Sequence, residues 1–435
     1  MKKSLILSFS LALVVVFGII VTKRSSTQND SQTIKPMALP KTTFHQSPED
    51  YNQFAVESYL KIVGGKSENN AVFSPYSLSM ALEILYAGAE NETATALEKI
   101  LHIPPSETGE PTNPTLFEYV PMKKYYPDAW VNPPIFLFGN ALWYDNKLKL
   151  NSNFAKKMKK NYSLETFPVD FVSDATTITQ QANKWCNEMT NGLIPTIGIP
   201  VSDDTQFLLL NALYFKAHWR KKFEPTATRD APFTLVNDET ISVPTMRQEM
   251  SCPYFENSEL RILEMPYFSF EEEEFKNVFV GKGGRFSMVL ILPKAIDGIY
   301  ALEETLTTEK IKTLIKEMNS VFLEVAIPKY RLEQENDLST LWASEGQSSA
   351  RDFGRMFPGV NIPTNAISTR QKIMFGIDES GTESVVLTST LSVSLPGEYQ
   401  EPPKFIVDHP FLFLIREQQT GTILFIGRVM NPTEK

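Results

Sequence analysis

Four histidines, His45, His102, His218 and His409, are the side chains of this 435-residue chain whose ordinary pKa lies nearest neutrality. They are scattered, with no metal-ligand spacing and no H-E-x-x-H pair, and no G-x-S-x-G elbow supplies a nucleophile for one of them to activate. Each reads as a surface or hydrogen-bonded structural histidine rather than a general base. Gly281-Lys282-Gly283-Gly284 looks superficially like a phosphate loop but lacks the Ser/Thr after its lysine, so no nucleotide is expected there. Glu271 to Glu274 is a charge run of the kind that makes a solvated loop. Lys156, Lys157, Lys159 and Lys160 have the charge to hold a sulfated polysaccharide, although a solvated helix face is the simpler reading. Two cysteines, Cys186 and Cys252, are too few for a disulfide framework or a cysteine-rich zinc cluster. Buried free thiols are the plain reading, and a single bridge between them stays open. No nucleophile–base pair emerges, so the chain is not expected to be an enzyme, and nothing in it calls for a metal or cofactor.

A different chemistry is written into residues 379–403. Thr382 to Ser394 reads TESVVLTSTLSVS, with no Pro, no Gly and one charge, Glu383. β-branched residues dominate, so the segment is a strong strand former. Yet Glu379-Ser380-Gly381 precedes it, and Pro396-Gly397 and Pro402-Pro403 follow, which is the punctuation of an exposed loop. A β-prone apolar segment left unpaired is an aggregation hazard unless it has a destination. Alternation supplies one. Thr382, Ser384, Val386, Thr388 and Thr390 form an uncharged face that can enter a packed sheet, while Glu383 lies on the opposite face, where its charge stays wet. An ordinary edge strand followed by a Pro-rich loop is the competing reading.

The elements that must hold such a segment are legible around it. Ser47-Pro48-Glu49-Asp50 is a helix start, and Ser74-Pro75 begins a second helix with Leu78, Ala81, Leu82 and Leu85 on one side. Asn153 to Lys160 reads as a short helix, and Pro104 to Pro134 as an irregular insertion. The apolar run Phe207 to Phe215 suits a strand buried on both faces. Further strands are expected at Asn140 to Tyr144, Ile241 to Met246, Ser287 to Leu292, Phe322 to Ile327, Pro410 to Arg416 and Thr422 to Val429. Helices gather early and strands late, which suggests an α+β fold rather than alternating βαβ units.

Composition agrees with a globular chain: 42% hydrophobic and 21% charged residues exclude wholesale disorder. A net charge of -9 supplies no global basic face, so nucleic acid is not an expected partner. At the N-terminus, Lys2 and Lys3 precede an apolar run from Ser4 to Val21, which Lys23 and Arg24 close. Residues 1–22 read as a secretory signal or, since about 18 apolar residues approach the roughly 20 that cross a bilayer, as an uncleaved membrane anchor. Residues 23–45 read as a flexible tether. The remainder is expected outside the cytoplasm, where Asn29, Asn91 and Asn161 begin glycosylation sequons.

Several motifs then point the same way. They are NAVFSPYSLSMALEILYAGAENETA from Asn70, Asn140-Ala141-Leu142-Trp143, Asn183-Lys184-Trp185 with Thr190-Asn191-Gly192, and Asn211 to Lys216 with Trp219 and Phe223. The ending runs from His409-Pro410-Phe411 through Leu424 to Val429 and Asn431-Pro432. From about residue 46 to the C-terminus the sequence resembles the serpin family. That resemblance implies one domain, 46–435, with three β-sheets, about nine helices and an exposed reactive-centre loop at about 379–403. It implies a monomeric, extracellular inhibitor of serine proteases. The loop is bait; once cut, it traps the protease as an acyl-enzyme and inserts as a new strand into the central sheet, expected here to be the largest.

Site residues follow from the same resemblance. The hinge Glu379, Gly381, Thr382, Glu383 and Ser384 is similar to the inhibitory pattern, although Val385, Val386 and Leu387 stand where the family prefers alanines. Trp219, Lys329 and Glu379 match the breach, where the loop enters. Ser74, Ser77 and Asn211 match the shutter beneath the sheet, with Gln371 in place of the family's usual histidine. Counting from Gly381 places the scissile residue at Leu395, before Pro396; because most serine proteases cleave poorly before proline, Val393 and Ser394 are alternatives. Leu or Val at that position, with no Arg or Lys between Gly381 and Gln400, implies an elastase- or chymotrypsin-like target. Val385 to Leu387, Pro396 and Gln371 support an alternative, a non-inhibitory binding or structural member of the same family.

Overall fold

Two capped helices set the frame. α1 (Pro48–Val63) starts where the Ser47 hydroxyl accepts from the Asp50 amide, and it ends at Gly64 in the left-handed conformation. α2 (Pro75–Gly88) starts in the same way on Ser74 and is buried along its whole length, so it has no solvent face. α3 (Asn91–Leu101), α4 (Ser152–Tyr162), α5 (Ala175–Met189), α6 (Gly298–Glu304) and α7 (Thr308–Glu317) bring the helices among the described residues to seven, against about nine expected. The computed structural model describes residues 47–103, 135–173, 175–190, 192, 196, 204–267, 286–337, 350–363, 367–382 and 402–434. The leader and tether, the insertion 104–134, Glu271 to Glu274, Gly281 to Gly284 and residues 383–401 lie outside them. None of the described helices is long and apolar enough to cross a membrane.

The described strands form three sheets, as expected. The largest has nine strands: β1 (Ala71–Phe73), β17 (Ile423–Val429), β16 (Phe411–Glu417), β8 (Phe286–Pro293), β7 (Leu260–Pro266), β6 (Thr240–Glu256), β9 (Asn319–Pro328) and β15 (Lys404–Ile406) in order, with β5 (Arg229–Thr234) paired to β6. The second has six: β10 (Tyr330–Asp337), β13 (Ile367–Asp378), β14 (Gly381–Thr382), β4 (Phe207–His218), β2 (Ile135–Asp145) and β3 (Leu164–Val169). β11 (Ala350–Asp352) and β12 (Asn361–Pro363) make a small hairpin sheet. The expectation about the largest sheet is corrected here: the hinge joins the six-stranded sheet, because β4 and β13 are the strands it pairs with.

β4 explains its own apolar run. Phe207 and Leu209 join the main core with α2, whereas Leu208 and Leu210 join a second core with Trp143, Phe171, Ile178 and Trp185 on the other face. β6 runs over 17 residues, far beyond Ile241 to Met246, because it changes partners from β5 to β9 to β7. β7, β10 and β13 were not expected. β10 (YRLEQEND) is a charged edge strand, and β13 (ISTRQKIMFGID) alternates buried Gln371, Ile373, Phe375 and Ile377 with more exposed neighbours.

Candidate functional site

β4 and β13 run parallel and pair directly from Phe207–Ile367 to Asn211–Gln371. Toward their other ends β14 lies between them, antiparallel to both. Gly381 faces His218 and Asp378, and Thr382 faces Ala217 and Ile377. Ser380, Gly381 and Thr382 are buried. This corrects the reading of 379–403 as wholly exposed: its first residues already form the first rungs of a strand inside the sheet.

The seat is built for glycine. Gly381 has φ +147, and a Cβ there would lie 2.1 Å from the Ala217 carbonyl oxygen and 2.7 Å from the His218 Cα. Asp378 accepts from the Ser380 and Gly381 amides at 2.8 and 3.2 Å, shaping the turn into the seat. Burial raises the Asp378 carboxyl above its usual range despite those bonds.

Around the seat the breach residues converge. Glu379 accepts from Lys329 Nζ at 3.1 and 2.9 Å and from Thr228 Oγ1 at 2.8 Å. Burial alone would raise its carboxyl, but the Lys329 and Thr228 hydrogen bonds hold it below the usual range. Trp219 donates its indole N–H to the Asp378 carbonyl at 2.9 Å and its backbone amide to the Ser380 carbonyl at 2.9 Å. Its ring stacks on Tyr267 at 4.7 Å, and the Tyr267 hydroxyl is 2.7 Å from Thr382 Oγ1. Tyr267, Thr228 and His218 carry no signal in sequence, because each reaches the hinge only through the tertiary fold. Burial lowers the pKa of His218, and Lys222 and Lys216 lower it further.

The shutter residues meet where β4 and β13 pair. Ser77 donates to Asn211 Oδ1, Asn211 donates to Asn140 Oδ1 at 2.7 Å, and Asn140 donates to the Tyr162 carbonyl at 2.8 Å. On the other strand Gln371 donates to the Ser74 carbonyl at 3.0 Å and accepts from the Ser74 amide and Asn336. Ser74 also donates to the Leu424 carbonyl at 2.8 Å. A buried polar chain therefore ties α2 to β4, β13, β2, β10 and β17. Asn140 and Asn336 were missed as members; an asparagine inside an apolar strand, as at Asn140, was the available signal.

The remaining candidates have structural places. His102 bonds Glu57 at 3.0 Å, and His409 sits between Asp408 and the Pro293 carbonyl. Cys186 and Cys252 are free and buried, and burial pushes both thiols up to about 12. Among the described residues no group of His, Cys, Asp and Glu could hold a metal. The scissile candidates Val393, Ser394, Leu395 and Pro396, with Glu383 and Ser384, lie outside the described residues.

The comparisons agree with this geometry. A family model described as serpin (serine protease inhibitor) matches residues 49–432. An uncharacterized serpin-like protein of Thermococcus kodakarensis is 33% identical over 88% of this chain and 85% of its own length. A leukocyte elastase inhibitor of Xenopus laevis is 31% identical over 87% of this chain and 97% of its own. The crystal structure of Serpin48, a highly specific serpin of the insect Tenebrio molitor, superposes with a TM-score of 0.69 at 25% identity, covering 88% and 97% of the two chains.

Proposed function

The chain belongs to the serpin family, and from that premise we propose that it inhibits an elastase- or chymotrypsin-like serine protease once, as a suicide substrate. One observation carries this reading. Continued from Thr382, the register against β4 and the register against β13 bring the same residue, Ser392, level with Phe207 and Ile367. The slot between these strands thus fits one antiparallel strand drawn from residues 383–392. Ser384, Val386, Thr388, Thr390 and Ser392 share the inward face with Thr382, and none is charged. Thr388 comes level with Asn211 and Gln371, where the polar chain can accept its hydroxyl.

In the mechanism, the protease serine attacks the carbonyl of Leu395, or of Val393 or Ser394, and the peptide nitrogen leaves. An ester then joins the protease to the loop. The freed loop zips between β4 and β13, breaking their direct pairs and making rungs to both. Ten residues at about 3.4 Å each carry the ester roughly 34 Å. On the order of ten net new hydrogen bonds at about 1 kcal/mol each drive the movement. Distortion of the protease's oxyanion hole then blocks deacylation. The order of charges and apolar residues in 1–24 supports action outside the cytoplasm, and N-terminal sequencing of the native product tests it. Mixing with pancreatic elastase and chymotrypsin, followed by a denaturing gel, tests the inhibition. A band of summed mass is expected; clean cleavage or no reaction with every protease contradicts it and favours the binding or structural reading that Val385 to Leu387 and Pro396 support.

A further inference from the structure

A cavity of about 430 Å³ lies where β10 and β13 meet the C-terminal tail. Small-molecule sites span roughly 300–1,000 Å³, so this volume falls among them. Thr382 borders the cavity, but most of its wall lies on β10, β13, β6 and the tail, and β10 is on the far side of β13 from the slot. Its depth is apolar, because Phe215, Tyr330, Phe375 and Ile377 line it and are buried. Tyr330 breaks the pattern. Its ring packs against Phe375 at 6.2 Å and against Phe411 and Phe413 at 5.8 Å. Packing alone asks only for a ring, which phenylalanine supplies at those three neighbours. Tyr330 is 5% exposed, yet its hydroxyl has no hydrogen-bond partner among the described residues. A buried phenol left unpaired is rare in a folded protein, and in the wall of a cavity it is a donor without an acceptor.

The mouth of the cavity has the opposite character. Arg331 lines it, is exposed, and is in no ion pair among the described residues. Lys329 is already bound to Glu379, and Asp378 accepts from the Ser380 and Gly381 amides. The guanidinium of Arg331 is therefore the uncommitted charge among the described lining residues, and its fork suits a carboxylate. From mouth to depth the wall offers a cation, a sleeve of rings and one hydroxyl donor. A cationic ligand would be repelled at Arg331, and a plain hydrocarbon would leave the Tyr330 hydroxyl as dry as before. We propose that the cavity binds a small aromatic carboxylic acid that carries a second hydrogen-bond acceptor. The carboxylate meets Arg331, the ring lies among Phe215, Tyr330 and Phe375, and the acceptor takes the Tyr330 hydroxyl. The proposal does not depend on whether the protein inhibits a protease.

Benzophenone-4-carboxylate is the probe, titrated into the full chain by calorimetry and then photolysed in place. One saturable site is expected, with the attached mass on peptides of β10, β13 or the C-terminal tail. Tyr330→Phe should bind this probe about tenfold more weakly, because the hydrogen bond to its carbonyl is lost. The same variant should bind 4-benzylbenzoate, which lacks that carbonyl, as wild type does. Without ligand its melting temperature should equal or exceed that of wild type, because the hydroxyl it loses has no partner. Arg331→Gln should weaken the binding of both acids and flatten its dependence on salt. Absence of saturable binding, attachment elsewhere in the chain, or undiminished binding of benzophenone-4-carboxylate by Tyr330→Phe overturns the proposal. A lower melting temperature for Tyr330→Phe would show that the chain itself satisfies the hydroxyl, and overturns it as well.

Discussion

The same two strands, β4 and β13, are joined at one end and parted at the other. At the joined end they pair directly, and buried amides and hydroxyls from α2, β2 and β10 hold the seam. At the parted end two residues of a third strand keep them apart, held by Tyr267, Trp219 and the Glu379–Lys329 pair. Both ends are held by polar groups, and the seat adds a close fit around Gly381. In the proposed mechanism a further strand enters this sheet once the seam opens. The seam that the proposed mechanism must open is short: the five directly paired positions from 207–211 and 367–371.

The largest expected effect tests the seat. Gly381→Val places side-chain atoms against the Ala217 carbonyl at a positive φ, so the hinge cannot sit. Covalent complex on a denaturing gel should fall at least about tenfold while loop cleavage continues; an undiminished yield would separate inhibition from the seat. Next is the seam. Asn211→Ala removes the centre of the Ser77–Asn211–Asn140 chain and should cost about 2 kcal/mol in denaturant unfolding. A loss near zero would show that the amides contribute nothing there. Tyr267→Phe keeps the ring stack and removes only the Thr382 bond, so about 1 kcal/mol is expected. The smallest effect is electrostatic. Glu379 has a lowered carboxyl pKa, so its stabilisation is present above the unfolded carboxylate pKa and is lost as the pH falls through the lowered one. Wild type should therefore exceed Glu379→Gln in melting temperature at pH 7 and converge with it in acid. Lys329 is 38% exposed, so the gap should be worth less than about 1 kcal/mol.

Much of this was visible in the residues. Gly381, Asn211 and the alternation after Thr382 announce themselves, because each breaks or extends a local pattern that must have a physical reason. Five of the seven expected strands lie within observed ones and the other two begin one residue early, since apolar runs such as Phe207 to Phe215 admit few other readings. What escaped was set by partners distant in sequence. β10 carries charge because it is an edge strand, and Tyr267 matters only because the fold stacks it on Trp219. The seating of Gly381 and Thr382 was hidden for the same reason: punctuation marks a chain as loop-like, but the gap that receives it is made by strands more than a hundred residues away in one case.

The central claim is that the uncut chain stores energy in the closed seam and releases it when residues 383–392 enter. The direct measurement is the melting temperature before and after a single cut within the loop, C-terminal to Ser392, with both fragments retained. A rise of tens of degrees is predicted, from on the order of ten added hydrogen bonds. An unchanged melting temperature, with the cut confirmed by mass, would contradict it.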